Sequence, residues 1–248
     1  MARPRKAPPA GGTAASARGA APGKAHPSPT STSTLSPTPV PPATLHVTPW
    51  TLSSRQVLHR VHSDQYQADE FNPGKKGNAR FSPVRDARGK PIPTIYAAAT
   101  FDAAVMESVF HDVSHAPGYK QYAKEKLEGQ LHSEVQVKRD LKLADLGSVA
   151  LRKLGVQRKQ LIDTEKDQYP GTRQWAEAIH AQHPDIQGLS WVSRQDDSAR
   201  AVVLFGDRVP KGTLQQVGDS RNLLQDEQAY AELLDLAERI GVDVTPEK

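Results

Sequence analysis

The 248-residue chain contains no cysteine. That excludes disulfides, thiolate metal sites and a cysteine nucleophile. No run approaches the roughly 18 apolar residues that a membrane-crossing helix needs. The opening "MARPRKAPPAGG" is charged but has no apolar stretch behind it, so no secretory signal is expected there. Residues 1–44 hold ten of the 20 prolines and lack Asp, Glu, Phe, Tyr, Trp and Ile altogether. Such a segment buries too little apolar surface to offset its ordering entropy. A disordered Pro/Ser/Thr/Ala-rich tail over 1–44 and a single domain over 45–248 are therefore expected.

The tail also accounts for the basic balance. Its charges are Arg3, Arg5, Lys6, Arg18 and Lys24, and without them the chain has 27 basic against 28 acidic residues. A domain this close to neutral is a poor match for a basic nucleic-acid groove. No direct nucleic-acid partner and no membrane partner are expected, and the absence of cysteine fits a cytoplasmic protein.

Within the domain, "QVLHRVHS" and "PTIYAAA" read as strands. The long stretch between them, with Asn-Pro-Gly and Arg-Gly turn signals, reads as loop. Thr100 is placed to cap a helix over 101–113, with Asp102 favourable in its first turn. "SEVQVKRDLKLADLG" reads as two strands turning around 139–140, and "VALRKLGV" and "KQLIDTE" as short helices. Thr172 is expected to cap the helix in "YPGTRQWAEAIHAQHP". "IQGLSWVS" and "ARAVVLFGD" follow as strands, and "NLLQDEQAYAELLDLAERIG" as an amphipathic helix that ends before Gly241. Helices and strands mix without regular βαβ alternation, which predicts an α+β fold.

Few patterns carry chemistry on their own. His111 and His115 have the i,i+4 spacing of a zinc helix but lack an intervening glutamate, and no metal site is expected. "GLSWVS" lacks the closing glycine of a nucleophile elbow, and neither phosphate-binding glycine motif is present. What remains is "YAAATFDAAVMESVFHD", residues 96–112, an apolar helical run with one carboxylate, Glu107, in its middle. On a helix, Ala103, Ala104 and His111 share its side, and the small alanines leave room beside the carboxylate. His111 reads as a helix-end residue one turn beyond.

The ordered series of Arg60, "ARFSP" with Arg80, "TIYAAAT" with Tyr96, "AVMESVFHD" with Glu107 and "GLSWVSR" with Ser193 resembles the RES domain family from about Val57 to Asp207. It departs from that family's pattern at Asn78 and Ala79, where glycines are usual, at Phe81 in place of tryptophan, and at Val61 in place of tyrosine. The resemblance implies an ADP-ribosyltransferase-like mixed sheet flanked by short helices, and an enzyme that consumes NAD+ as the toxin of a toxin–antitoxin pair. It also implies roles. Arg60 and Arg80 bind the NAD+ phosphates, Tyr96 lies by the nicotinamide or its ribose, Glu107 is the central catalytic acid, and Ser193 completes the pocket. Glu107, Arg60 and Ser193 are the expected catalytic set, and Arg60, Arg80, Tyr96 and Ser193 the expected substrate contacts.

Those residue types suit that chemistry. Nicotinamide leaves as a neutral molecule and needs no proton, whereas the ribose acquires positive charge that a fixed carboxylate stabilises. Ser193 reads as a hydrogen-bond donor, since no base is identifiable beside it. Arginine forks match phosphate oxygens, and the "NPGKKGNA" loop ahead of Arg80 is expected to fold over a ligand. The acceptor is left open. Inorganic phosphate as co-substrate gives phosphorolysis, water gives hydrolysis, and a protein side chain makes the enzyme a mono-ADP-ribosyltransferase. A non-catalytic interaction module keeping the fold is a further alternative. The resemblance implies an Xre-type antitoxin partner, and the tail's composition fits an effector delivered to a target cell.

Overall fold

Burial alternates residue by residue along Val57–Ser63, as a strand with one packed face and one more open face requires. In the computed structural model, residues 37–74 and 77–246 are described. The strands are β1 (Pro49–Leu52), β2 (Val57–Ser63), β3 (Val84–Arg85), β4 (Pro91–Ile92), β5 (Thr94–Ala98), β6 (Lys120–Ala123), β7 (Gln130–Val137), β8 (Leu141–Asp145), β9 (Gly188–Val192), β10 (Arg200–Phe205), β11 (Leu214–Asn222) and β12 (Val242–Thr245). The helices are α1 (Phe101–Met106), α2 (Ser148–Leu154), α3 (Arg158–Leu161), α4 (Tyr169–Gln182) and α5 (Glu227–Arg239). Eight strands form one sheet in the order β1-β8-β9-β10-β5-β2-β7-β11. Its β8–β9 pair is parallel and its other neighbours are antiparallel. This is the expected α+β class.

Three expectations change. The helix expected over 101–113 ends at Met106. Beyond it the carbonyl of Val105 receives the amides of Ser108 (3.2 Å), Val109 (2.7 Å) and Phe110 (3.1 Å), a tightened turn that delivers Val109 and Phe110 into a buried cluster with Leu233 and Leu236. Thr172 is not a cap: α4 begins at Tyr169, with Pro170 in the first turn where a missing N–H costs nothing. β11 escaped notice because it is a largely exposed edge strand without alternation, and its register shifts between Val217 and Arg221.

Most of the segment expected to be a disordered tail, 1–36, lies outside the described residues, as do Lys75 and Lys76 of the loop before Arg80. The remainder of that segment is attached to α4 and its approach. Thr38 donates its amide to Gln168 Oε1 (3.0 Å) and its hydroxyl to the Gln160 carbonyl (2.7 Å), and Trp175 Nε1 donates to the Pro39 carbonyl at 2.7 Å. The domain's contacts thus begin ahead of Leu45. Composition carries little sign of this, because two of the three bonds use backbone groups of a proline-rich segment. Trp175→Phe, which keeps an aromatic ring but leaves this carbonyl without its donor, is expected to lower stability by about 1–2 kcal/mol in urea unfolding.

Trp175 belongs to a core with Ile179, Leu189, Trp191, Val203 and Phe205 on one face of the sheet. A second core, with Leu58, Ile95, Val135, Val202 and Leu204, fills the other. Between β5 and β2 the sheet parts. β2 pairs with β7 from Val57 to Ser63, but with β5 through a single residue pair, His59 and Ala98. The freed edge of β5 is satisfied from outside the sheet, where Thr94 and Asn72 exchange both backbone bonds at 2.8 and 2.9 Å.

Candidate functional site

A cavity of about 320 Å³ opens where the two strands part. His59, Arg60 and Val61 line it from β2, and Tyr96, Ala97 and Ala98 line it from β5. Residues of both faces of each strand reach it, as the gap between them allows. Arg80, Ala104 and Glu107 complete the walls. Four of the five residues singled out in the sequence therefore line one cavity, and the fifth, Ser193, is fully buried directly behind Glu107.

Glu107 is the C-cap of α1, not a mid-helix residue. Its position is fixed from outside the helix. Ser193 Oγ donates to Glu107 Oε1 at 2.6 Å, and Gln195 Nε2 donates to the His111 carbonyl at 3.1 Å, so the loop after β9 holds the whole turn after α1. The Ser193 hydroxyl is saturated, since its oxygen also accepts the amides of Gln195 (3.0 Å) and Asp196 (3.1 Å). Glu107 thus stands where the sequence offered no base, and the same hydroxyl oxygen is engaged in holding the loop. The loop is held in turn by Arg158, which donates to the Val192 and Ser193 carbonyls at 3.2 and 3.3 Å.

Arg80 is buried, and its Nε has no hydrogen-bond partner among the described residues. Its guanidinium lies 5.8 Å from the ring centre of Tyr169. The backbone around it is pinned. Thr172 Oγ1 donates to the Arg80 carbonyl, Arg173 Nη1 donates to Asn78 Oδ1 at 2.8 Å, and the Phe81 amide donates to the Tyr96 hydroxyl at 3.0 Å. Residues 78–81, at the end of the "NPGKKGNA" loop and just beyond it, form an anchored support. Tyr96 has two jobs, a ring on the cavity wall set edge-on to Trp191 and a hydroxyl holding this support. Burial pushes its phenol well above the ordinary range, so it stays protonated.

Arg60 is only partly available to a ligand. Its Nη1 donates to the carbonyls of Gln67 (3.1 Å) and Ala68 (2.7 Å). Burial lowers its guanidinium to about 10, opposed by Glu70, Asp69 and Tyr66, so it remains a cation at neutral pH. It clamps the loop after β2 while lining the cavity.

Sequence reasoning missed several wall residues. His111, read as lying beyond the site, lines the cavity because the chain turns back after Met106. Arg194 lines it as well. It donates through Nη1 to the Thr164 carbonyl (2.9 Å) and Glu165 (3.0 Å), while its Nε is buried without a partner among the described residues. Its place directly after Ser193 was the available signal. Tyr169 and Trp191 were legible only as core aromatics. Among the described residues no group of three or more His, Asp or Glu could hold a metal, and no helix is long and apolar enough to cross a membrane.

Ser193→Ala tests the positioning role. It removes the donor to Glu107 and leaves two loop amides without their acceptor, at a cost of about 1–3 kcal/mol of stability. A reduced but measurable turnover, about 10- to 100-fold down, is expected, and complete loss in a folded variant would instead mark a nucleophile.

In comparison with known families, residues 57–226 match the RES domain. No curated protein matches the chain. Among solved structures, the chain is similar to one from the crystal structure of the M. tuberculosis MbcT–MbcA toxin–antitoxin complex. The TM-score is 0.53 at 17% identity, covering 73% of this chain and 92% of that one. At that identity the likeness is one of fold.

Proposed function

Because the chain belongs to the RES domain family, we propose that its cavity binds NAD+ and breaks the bond between nicotinamide and ribose, in the role of a toxin. One observation carries the reading. Two guanidinium nitrogens without protein partners among the described residues, Arg80 Nε and Arg194 Nε, belong to the same cavity wall as a carboxylate held by a buried serine. A buried cation with no ion-pair partner among the described residues, as Arg80 is, is costly unless a ligand supplies the anion, and a diphosphate does so. The carboxylate answers the other charge in the reaction, the positive one that grows on the ribose.

In the proposed step the bond between ribose C1′ and the pyridinium nitrogen breaks, and its electron pair leaves with neutral nicotinamide. Glu107 stabilises the cationic ribose by charge and by accepting a hydroxyl proton in a hydrogen bond. Tyr96 presents its ring to the cationic pyridinium, an interaction of about 0.5–2 kcal/mol. The acceptor then bonds to C1′. Inorganic phosphate gives an ADP-ribose phosphate and water gives ADP-ribose. The cavity is at the small end of the range for ligand sites, which suits nicotinamide and its ribose, with the adenosine half across the rim. The fold likeness to a chain of a toxin–antitoxin complex supports an inhibitory partner, of Xre type in this proposal, that covers the rim.

The test is nicotinamide release from NAD+ by the purified chain, with and without phosphate. Release stimulated by phosphate identifies a phosphorylase, and release independent of it a hydrolase. No release under either condition, with an intact fold, overturns the reading. Labelled NAD+ that marks a protein band would assign the transferase chemistry instead.

A further inference from the structure

The cavity floor at His59 is the visible end of a buried polar chain. His59 Nδ1 lies 3.0 Å from His132 Nε2, with the rings stacked at 5.2 Å. His132 Nδ1 lies 3.1 Å from Arg221 Nη2. Arg221 in turn grips Glu232 on α5 with both arms, at 3.1 and 3.2 Å, and Gln228 one turn earlier donates to the same carboxylate at 2.9 Å. Phe101, the first residue of α1, sets its ring edge-on to His132 at 4.9 Å and beneath the Arg221 cation at 5.8 Å.

The proton positions follow by elimination. Arginine only donates, so His132 Nδ1 accepts, and the proton of a neutral His132 is on Nε2. That proton is given to His59 Nδ1, which leaves the His59 proton on Nε2. His59 Nε2 has no partner among the described residues, and the residue lines the cavity two positions across from the Tyr96 ring, on the same face of the strand pair. Both rings are held neutral. Burial first, then His59 and Arg221, lower His132 to about 3, against Glu232. Burial also lowers His59, against Glu134 and Glu232 and with Arg221.

Resting on the NAD+ reading above, we propose that His59 is a tautomer-locked, uncharged N–H donor to the carboxamide oxygen of nicotinamide, and that His132, Arg221 and Glu232 are its positioning residues. The absence of charge is the physical point. An imidazolium here would repel the pyridinium cation on binding and the ribose cation that follows, whereas a neutral N–H orients the leaving group without adding positive charge. A flat aromatic wall beside a single fixed donor matches a flat ring bearing one carbonyl.

Nitrogen NMR of the full chain, titrated with nicotinamide and separately with pyridine, decides this without requiring turnover. His59 is expected to keep Nδ1 unprotonated, with its single proton on Nε2, as pH falls through about 6.5, and to shift Nε2 with nicotinamide but not with pyridine. Arg221→Met is expected to mix the His59 tautomers and raise the KM for NAD+ several-fold with kcat largely kept. His59→Gln, which restores an N–H near Nε2, is expected to recover most of what His59→Phe loses. A His59 that titrates normally, or that ignores nicotinamide while NAD+ is cleaved, overturns the proposal and leaves the enzyme reading standing. A nicotinamide-specific shift without any NAD+ cleavage keeps the donor and sinks the enzyme reading.

Discussion

Glu107→Gln is expected to reduce nicotinamide release by about 10²–10³-fold with an unchanged melting temperature. The substitution is nearly isosteric, and the amide oxygen can still accept the Ser193 hydroxyl that now meets Glu107 Oε1 at 2.6 Å. In the proposed reaction it removes the negative charge opposite the developing ribose cation, so the loss should fall on kcat rather than on KM. Glu107→Asp separates charge from position. It keeps the carboxylate but withdraws it by one methylene, and a displacement of about 1 Å can cost about 100-fold. Parallel assays of the three proteins by chromatographic detection of nicotinamide give the comparison. A Gln variant at the wild-type rate would remove Glu107 from the chemistry.

Arg80→Met carries the second large effect, with opposite signs in two measurements. Affinity for NAD+ is expected to fall by about 10²-fold or more, since a charge-assisted bond contributes about 1.5–3 kcal/mol and a fork can make two. Stability of the ligand-free protein is expected to hold or rise. Arg80 is buried, and its Nε has no partner among the described residues, so an apolar side chain of similar length relieves a desolvated cation. Calorimetric titration reads the first and thermal unfolding the second. A variant that loses stability while still binding NAD+ would make Arg80 a structural residue. Arg80→Lys should not rescue binding, because a point charge lacks the planar fork.

The elements with strong local pattern were legible: the alternation in Val57–Ser63, the paired apolar runs of β9 and β10, and the amphipathic α5. β11 and β12 were not, because an exposed edge and a four-residue strand have too little pattern to read. In the site, the order of Arg60, Arg80, Tyr96, Glu107 and Ser193 along the chain pointed to them through its resemblance to the RES domain family. The reach of each was hidden. Nothing local reveals that Arg60 spends Nη1 on two carbonyls, that α1 stops at Met106, or that the loop around Arg194 folds back on the turn after α1. Those are consequences of contacts between residues far apart in sequence, such as Ser193 and Glu107. His59 and His132 are far apart too, and only strand pairing brings them within a hydrogen bond.

The parting of β2 from β5 also has a mechanical meaning. Five strands, β1, β8, β9, β10 and β5, lie on one side of the seam and three, β2, β7 and β11, on the other. The core of Leu58, Ile95, Val135 and Val202 spans one face of the seam, while the cavity occupies the gap between the strands. The sheet is therefore built like a book with a glued spine and an open fore-edge. A ligand that touches β2 and β5 together works as a clasp, and the amides of Val61 and Ala97 on its two sides report whether it is shut.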